Sequence, residues 1–549
     1  MVNLVPQFLF ASFDCSRAFL ASRRPVERAL RVRGDRGVFI QTGRRLAREA
    51  LSGRLSKSVS HATLALERKE LPAARQASLI WSKYLLSNRL RVVRRFRHGL
   101  AECASELAKL AASDSHPVQE VLVSEVLPLL EACRFLERNA SNLLKPCVLG
   151  AAHRPLWLSG IQTELRREPI GLVAIISPSN YPLFLGGTQV LQALVAGNAV
   201  LWKPAPGCAP AAQGLAGLLK SAGLPEDVLQ ILPDTIDAGK ALVSSAVDKV
   251  IFTGGGENGR SVLRALADRT IPAVVELSGC DAVFVRADAD LERTARALKF
   301  GMMLNEGKTC MAPRRVFVAQ GVAEALEVLF LNKLKEVQPT SFSLDLPEVQ
   351  KARLREMLSD AKIKGARFLL GGLNADGSID LPVVFTEASP LMRLFCEDVF
   401  VPIIGFMAIE SDEAALEAAS ECGFALGASI FSRDHDEAKR LAQRIDAGLV
   451  SINDLIAPSA DPRVPFGGRG ESGYGVTRGA AGLLELTRIK VIQTRDGGMA
   501  PHLDSETPKP ELITAAIRLL HSGTWRKRLG ALVDLARMSW TVPPSNIST

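Results

Sequence analysis

The stretch that decides the fold runs from residue 170 to residue 203 and reads IGLVAIISPSNYPLFLGGTQVLQALVAGNAVLWK. It holds an apolar β-rich run at 170–177, a helical pattern at 181–196 and a second apolar run at 199–203. The same alternation continues at 210–222, 247–253 and 259–268. Strands that alternate with helices predict βαβ units, that is, a parallel sheet covered by helices on both faces.

The chain is long enough for more than one domain. Its 549 residues, 47% hydrophobic and 23% charged, predict two or three domains and exclude a disordered or fibrous protein. The α/β character returns from about 277 to 455, which predicts a second α/β domain. Between 62 and 145 apolar residues recur every three or four positions, which predicts packed helices.

Charge and residue counts exclude several classes of protein. The net charge is +9, but residues 1–60 hold twelve Lys or Arg against four acids, so the basic excess lies in one terminal extension and not in a nucleic-acid groove. No two of the nine Cys lie within four positions, and the seven His form no ligand pair, so we expect neither disulfides nor a metal site. No apolar run is long enough to span a membrane, and a cytoplasmic protein, or one peripheral to a membrane, is expected.

Both termini leave their roles open. The basic extension at 1–60 mixes Phe with Arg, which is typical of transit peptides and membrane-surface segments, and equally of a poorly ordered extension. The helical patterns at 511–521 and 524–539 set apolar residues beside Arg and Lys. They predict a basic helical extension over 498–549 that rests on an anionic membrane, covers another protomer or docks on the body of the protein.

A glycine-rich turn follows the strand at 250–252. Thr253 to Gly259 contains GxGxxG and opens a helix, and an acid, Glu276, stands about twenty residues later. Alone, this is the Rossmann fingerprint, with the acid on the ribose. The wider sequence indicates another role for Glu276, because it ends an apolar strand and is followed by an isolated Cys310 in Gly307-Lys308-Thr309-Cys310.

Seven motifs occur in the order found in the aldehyde dehydrogenase superfamily, which the chain resembles from about residue 62 to 495. They are Ser177-Pro178-Ser179-Asn180, Gly197-Asn198 with Lys203-Pro204, Phe252-Thr253-Gly254, Glu276-Leu277-Ser278-Gly279, Gly307-Lys308-Thr309-Cys310, Glu397-Asp398-Val399-Phe400 and Pro465-Phe466-Gly467-Gly468. Each motif is weak alone, whereas the ordered set is specific.

The resemblance implies oxidation of an aldehyde to a carboxylic acid through a thiohemiacetal and a thioester. Cys310 would be the nucleophile, since a thiolate adds to a carbonyl more readily than a hydroxyl does near neutral pH. Asn180 would stabilise the resulting oxyanion, together with the backbone N–H of Cys310. Glu276 would activate the water that hydrolyses the thioester.

The resemblance also implies a cofactor, NAD or NADP. The positions that match its binding residues are Ser177, Pro178, Lys203, Gly254, Gly255, Gly259, Leu277, Asp398 and Phe400. Three departures bear on this reading. Pro206 replaces the acid that often follows the lysine by three residues, which leaves NAD and NADP both open. Asp398 is one methylene shorter than the commoner Glu, and Lys308 either lowers the thiol pKa of Cys310 or points to solvent.

By resemblance the fold is α/β, with a Rossmann-like cofactor domain at 61–275, an α/β catalytic domain at 276–455 and a return segment at 456–497. An arm, about 150–168 with 480–495, would pair strands between protomers, so a homodimer or homotetramer is expected. Two alternatives stay open. One is a relative that passes the thioester to coenzyme A, although it would not need Glu276. The other is a non-catalytic, membrane-associated scaffold that keeps the fold.

Overall fold

The computed structural model describes residues 70–336, 346–497, 503 and 509–540. The basic extension predicted at 1–60 lies outside these residues. The helices are α1 Leu71–Trp81, α2 Leu86–Glu102, α3 Ala104–Ala111, α4 Val118–Val121, α5 Leu127–Leu144, α6 Phe184–Ala196, α7 Ala209–Ser221, α8 Ile236–Ser244, α9 Gly256–Ala267, α10 Leu291–Met303, α11 Ala323–Lys335, α12 Glu348–Ile363, α13 Asp412–Ser420, α14 His435–Ala442, α15 Gly479–Glu485, α16 Pro510–His521 and α17 Trp525–Trp540.

The strands form four sheets. They are β1 Cys147–Leu149, β2 Ile161–Pro169, β3 Leu172–Ile176, β4 Ala199–Lys203, β5 Leu229–Ile231, β6 Lys249–Thr253, β7 Ala273–Glu276, β8 Asp281–Val285, β9 Pro313–Ala319, β10 Arg367–Leu373, β11 Ile379–Thr386, β12 Ile403–Ile409, β13 Phe424–Ala425, β14 Gly427–Phe431, β15 Leu449–Ile452, β16 Arg469–Gly470, β17 Gly473–Tyr474 and β18 Thr487–Arg495.

The predicted parallel sheet is present, in the order β17-β7-β6-β3-β4-β5, and only β17 runs antiparallel to its neighbour. Strand β3 is buried along its whole length because helices cover both faces, as expected for a continuous apolar run. Helix α6 is also buried throughout and ends at Gly197, whose φ of +97° favours glycine. Since parallel strands end at the same edge, the residues after β3, β4, β6 and β7 meet there.

The second sheet has seven strands in the order β10-β11-β12-β9-β8-β14-β15. Its strands are parallel except for β10, which pairs antiparallel with β11. Fully buried aromatic residues fill the space against its helices, among them Phe317, Phe385 and Phe406. Both sheets are therefore of the α/β kind, as the alternation in the sequence predicted.

The segments predicted to build the arm pair with each other. Strand β18 runs antiparallel to β2 over nine residues, from Thr487 opposite Pro169 to Arg495 opposite Ile161, and β1 flanks the other edge of β2. In the described chain β18 is thus an edge strand, and its side chains Ile489 and Val491 are more than half exposed.

Helices α16 and α17 form a C-terminal hairpin. Each carries exposed apolar side chains at helical spacing, Ile513 and Ile517 on α16 and Trp525, Leu529 and Leu532 on α17. Among the described residues, no helix combines the length and the apolar character needed to cross a bilayer.

Candidate active site

The segment from Leu304 to Cys310, called here the nucleophile loop, has an unusual backbone. Asn305, Glu306 and Gly307 follow one another with φ values of 49°, 49° and 72°. Gly307 is required here, because a Cβ would lie 2.7 Å from the backbone of Val401 and Pro402. The guanidinium of buried Arg314 donates to the carbonyl oxygens of Gly307 and Val401. The chain thus holds three left-handed residues immediately before the thiol.

Cys310 is partly exposed and packs against a small apolar cluster of Met311, Leu426 and Phe466. Burial raises the pKa of its thiol well above the usual range, and the nearby carboxyls of Glu276 and Asp281 raise it further. The guanidinium of Arg478 acts in the opposite sense. The resting site therefore favours the neutral thiol of Cys310. A thiolate forms only when the balance of these charges shifts toward the effect of Arg478.

Asn180 lies beside the nucleophile loop. Its Nδ2 donates to the carbonyl oxygen of Lys308 at 3.0 Å, and its own carbonyl oxygen accepts from Nδ2 of Asn305 at 2.8 Å. These two bonds fix the amide two residues from Cys310. One hydrogen of its NH2 group is used by Lys308, and the second is free to donate to another acceptor.

Glu276 ends β7 with its side chain buried. Burial raises its pKa, while the charge of Arg478 and a 3.4 Å hydrogen bond from Oγ1 of Thr477 to Oε2 lower it. The other carboxyl oxygen, Oε1, is buried without a hydrogen-bond partner. A carboxyl with a raised pKa and a free oxygen is suited to accept a proton near neutral pH.

Arg478 contributes a buried positive charge that the sequence analysis missed. Its guanidinium lies 3.9 Å from the ring centre of Phe466 and 5.2 Å from that of Phe184, and Nη1 donates to the carbonyl oxygen of Ser459. No carboxylate within the described residues lies within ion-pair distance of it. The only indication of its role in the sequence was its position ten residues after the motif Pro465-Phe466-Gly467-Gly468.

A second set of missed residues lies behind the nucleophile loop. Glu120 and Glu125 come from α4 and the π-helical turn that follows it, and both accept hydrogen bonds from backbone N–H groups of the site, those of Glu125 being buried and that of Glu120 partly buried. Two acids in an otherwise apolar helical stretch were the only trace of them in the sequence.

The candidate cofactor residues line the carboxyl edge of the first sheet. Ser177 accepts a 2.8 Å bond from Nε1 of Trp202, and Pro178 follows it half-buried. Lys203 is buried at the end of β4, and burial lowers its pKa, whereas the nearby Asp234 raises it. This edge therefore presents a lysine close to the end of β3.

The glycine turn after β6 opens helix α9. Gly254 N donates to the carbonyl oxygen of Glu276, and a Cβ on Gly255 would meet nothing within 4 Å. Gly259, in the first turn of α9, touches Leu277 so closely that a Cβ would lie 2.4 Å from its Cδ2. Open space at a helix N-terminus is suited to a pyrophosphate, and these residues fit a dinucleotide.

Asp398 and Phe400 lie on the segment that packs on Gly307, and both are half-buried. The carboxylate of Asp398 faces Arg353 at 3.5 Å, and its neighbour Glu397 pairs with the same arginine at 2.8 Å. Lys308 turns toward Ser115, at 3.0 Å, and Glu306, at 3.5 Å. The charges that act on the thiol of Cys310 are those of Glu276, Asp281 and Arg478.

The sequence matches the model of the aldehyde dehydrogenase family over residues 48–492, which is most of the chain. The chain belongs to the aldehyde dehydrogenase family. As an aldehyde dehydrogenase it places the family's ordered motifs on the sheet edges and loops described above.

Similar sequences come from several bacteria. The chain is 32% identical over 445 residues to 4,4'-diapolycopene aldehyde oxidase of Methylomonas sp, which covers 80% of this chain and 83% of that protein. It is 29% identical over 433 residues to a protein of Mycobacterium ulcerans named as a succinate-semialdehyde dehydrogenase using NADP(+), over 77% of this chain and 83% of that protein.

Solved aldehyde dehydrogenases share the fold. An aldehyde dehydrogenase of Mycobacterium tuberculosis complexed with NAD+ superimposes with a TM-score of 0.70 at 26% identity, over 77% of this chain and 88% of that chain. Betaine aldehyde dehydrogenase of Staphylococcus aureus, in complex with NAD+, gives a TM-score of 0.72 at 24% identity, over 80% of this chain and 91% of that chain. The predicted fold class is confirmed.

Proposed function

We propose that this aldehyde dehydrogenase oxidises an aldehyde to a carboxylic acid with NAD or NADP, using Cys310 as nucleophile. The observation that supports this best is the meeting of three groups at one place. Asn180 is bonded to the nucleophile loop, and the carboxyl of Glu276 is near enough to Cys310 to raise the pKa of its thiol. In the sequence, Glu276 lies 96 residues after Asn180 and 34 residues before Cys310, so the proximity of the three groups depends on the fold.

In this mechanism the thiol of Cys310 releases its proton to water, the thiolate sulfur bonds to the carbonyl carbon, and the C=O electron pair moves to oxygen. The free amide hydrogen of Asn180 donates to that oxygen, and the loss of such a donor raises the barrier by about 2.7–4 kcal/mol. A bound nicotinamide supplies the hydride acceptor that the oxidation needs. The carbonyl of the resulting thioester remains within reach of the same amide.

Glu276 acts in the second half of the reaction. Its unpartnered Oε1 takes a proton from water as the water oxygen bonds to the thioester carbon. The carbon–sulfur bond then breaks, the sulfur leaves as thiolate and the carboxylic acid is released. This hydrolytic role separates the proposal from transfer of the acyl group to coenzyme A.

The dinucleotide would bind at the carboxyl edge of the first sheet. Gly254 and Gly255 would admit the pyrophosphate at the N-terminus of α9, with Gly259 and Leu277 setting the distance between helix and strand. Ser177, Pro178 and Lys203 would hold the adenosine side. Asp398 and Phe400 would serve the nicotinamide side, provided that Asp398 exchanges Arg353 for the ribose.

We infer an apolar aldehyde as substrate. The side chains that pack against Cys310 are apolar, namely those of Met311, Leu426 and Phe466. A relative that is 32% identical to this chain is named 4,4'-diapolycopene aldehyde oxidase, and its name directs the proposal toward an aldehyde of that class. Apolar aldehydes should therefore be better substrates than polar ones.

Two exposed surfaces would serve oligomerisation and membrane binding. The free edge of β18, with exposed Ile489 and Val491, would pair with a second copy of the chain in a homodimer or homotetramer.

The C-terminal hairpin would bind an anionic membrane surface peripherally. Residues 509–540 carry six Lys or Arg against two acids, and the exposed apolar side chains of both helices match the make-up of interfacial helices.

The test of the proposed function is direct. Purified full-length protein is given NAD or NADP and aldehydes of increasing chain length, while absorbance of the reduced nicotinamide and the carboxylic acid product are followed. We expect turnover without coenzyme A, lost in Cys310→Ala and kept in Cys147→Ala, which alters an exposed cysteine. No turnover with any pair would support the scaffold alternative, and product formation only with coenzyme A would support the acylating one.

A further inference from the structure

The segment from His116 to Val126 lies behind the nucleophile loop and carries two acids. Helix α4 passes directly into a π-helical turn, Leu122–Val126, and such turns are frequent at functional sites. The turn puts Glu120 and Glu125 on the same side, where one oxygen of each lies 3.7 Å from the ring of His116. Neither acid belongs to the mechanism derived above.

Glu120 bonds to the strained part of the nucleophile loop. Its Oε1 accepts a 2.7 Å hydrogen bond from the backbone N–H of Asn305, the first of the three left-handed residues. Left-handed backbone in residues other than glycine persists only where surrounding contacts support it. The carboxyl of Glu120 is such a contact.

The bond continues toward the reacting groups. Nδ2 of Asn305 donates to the carbonyl oxygen of Asn180, and Nδ2 of Asn180 donates to the carbonyl oxygen of Lys308. Glu120 is therefore the start of a chain of three hydrogen bonds that ends two residues before Cys310. Displacement of Asn305 would move both the thiol and the amide.

Glu125, in the π-helical turn, stabilises the start of helix α6. Its Oε2 accepts from the backbone N–H groups of Leu183 and Phe184, at 2.7 and 3.1 Å, where α6 begins after Asn180. The side chain of Glu125 is fully buried, and its other oxygen has no hydrogen-bond partner. Helix α4, through Glu120, and the π-helical turn, through Glu125, thus contact the segments on both sides of the site.

We propose that Glu120 is a positioning residue that, as a carboxylate, holds Asn305 in its left-handed conformation and so keeps the thiol of Cys310 and the amide of Asn180 in reach of one carbonyl group. This inference rests on the proposed function, since it assigns the loop its purpose. It adds to that function a residue that touches neither substrate nor cofactor.

The charge state of Glu120 makes the proposal testable by pH. Burial raises the pKa of Glu120 to about 7, the bond from Asn305 lowers it and Glu306 raises it. The groups around it are Glu306, which acts on its pKa, His116, whose Nε2 lies 3.7 Å from its Oε1, and Tyr181, on whose pKa Glu120 acts. The charge of Lys308 acts on His116, and Glu125 contacts the other ring nitrogen of His116. Above pH 7 the carboxylate accepts a charge-assisted bond, and protonation weakens that bond as the pH falls through 7.

The experiment measures Cys310 without needing turnover. Full-length wild type, E120A and E120Q are treated with iodoacetamide from pH 6 to 9, and alkylation of the peptide containing Cys310 is followed by mass spectrometry. We expect E120A to react at least tenfold more slowly than wild type at pH 8, since small displacements of reacting groups carry large penalties. E120Q should retain most of the rate but lose the wild-type step near pH 7.

Turnover gives the second measurement. E120A should lower kcat about tenfold with little change in KM for the dinucleotide, and E120Q should restore most of kcat at pH 8. Glu131→Ala, which removes a partly exposed carboxylate on α5 that pairs with Arg134, is the matched control and should equal wild type. Melting temperatures of all variants report any loss of fold.

Two results would overturn the proposal. One is alkylation of folded E120A at the wild-type rate, and the other is a step near pH 7 that persists in E120Q. If E120A does not fold, the pH profile of E120Q decides alone. A wild type that oxidises no aldehyde, but whose Cys310 depends on Glu120, would defeat the proposed function and leave the positioning role standing.

Discussion

The guanidinium of Arg478 lies 3.9 Å from the ring centre of Phe466, and the same ring belongs to the apolar cluster against which Cys310 packs. A cation buried so near the nucleophile has no carboxylate partner at ion-pair distance within the described residues. Its charge therefore acts on the groups that ionise around it, the thiol of Cys310 and the carboxyl of Glu276.

Removal of this cation should weaken the nucleophile. In R478M the thiol pKa of Cys310 should rise further, because Arg478 lowers it, and burial, Glu276 and Asp281 are then opposed only by a backbone hydrogen bond. We expect iodoacetamide to alkylate Cys310 about tenfold more slowly at pH 7.5, which corresponds to one pKa unit or about 1.4 kcal/mol. R478K, which keeps the charge, should lose less, and equal rates in wild type and R478M would exclude this electrostatic role.

Glu276 should separate the two halves of the reaction. Hydride transfer precedes hydrolysis, so E276Q should release one equivalent of reduced cofactor in a rapid burst and then turn over at least a hundredfold more slowly. Because the base must be ionised and its pKa is raised, wild-type turnover should decline as the pH falls through that raised value, and E276Q should lose this dependence. Stopped-flow absorbance measures both phases. Absence of the burst in folded E276Q would place Glu276 earlier in the reaction or in a structural role.

The residue at 206 should govern the choice between NAD and NADP. Pro206 has no charge, and buried Lys203 lies three residues before it. A carboxylate in P206E would repel a 2′-phosphate, so we expect the ratio of kcat/KM for NADP to that for NAD to fall at least tenfold. K203M should raise KM for both cofactors while leaving alkylation of Cys310 unchanged. An unaltered ratio in P206E would show that the adenosine ribose binds elsewhere.

The C-terminal hairpin should bind anionic lipid. In a flotation assay, full-length protein should float with vesicles of phosphatidylcholine and phosphatidylserine and should remain in the lipid-free fraction with vesicles of phosphatidylcholine alone. High salt should release it from the anionic vesicles. L529E and R526E should each reduce binding at least tenfold, since both side chains are exposed and one supplies apolar area and the other charge. Activity on a short soluble aldehyde is the control and should not change. Equal binding to neutral vesicles would exclude the role of the basic side chains, and a particle that becomes smaller in L529E without lipid would indicate that the hairpin covers a second copy of the chain instead.

The parallel sheet could be predicted because its strands are written as apolar runs that alternate with helices. The residues at 170–203 suffice for β3, α6 and β4, since burial on both faces demands an unbroken apolar strand and a helix apolar all round. The glycine turn at 253–259 could likewise be predicted, but the usual interpretation of such a turn would make Glu276 a ligand of the ribose. The structure gives Glu276 a buried carboxyl bonded to Thr477, in a position close to Cys310.

Other parts of the site could not be read in this way. Lys308 left two possibilities open in the sequence, and the fold turns it toward Ser115 and Glu306, contacts separated by 193 and two residues. Glu120 and Glu125 look like two acids on a helix. Only the packing of α4 against Asn305 and of the π-helical turn against Leu183 gives them partners.

The sequence by itself determined the α/β class, the order of the strands along the chain and which residue types are available for chemistry, because apolar periodicity and short motifs are local properties. Tertiary structure alone decided which charges surround Cys310. Electrostatic energy depends on distance and burial and not on separation along the chain, so the influence of Arg478, Asp281 and Glu276 on one thiol exists only once two sheets and a return segment have packed together.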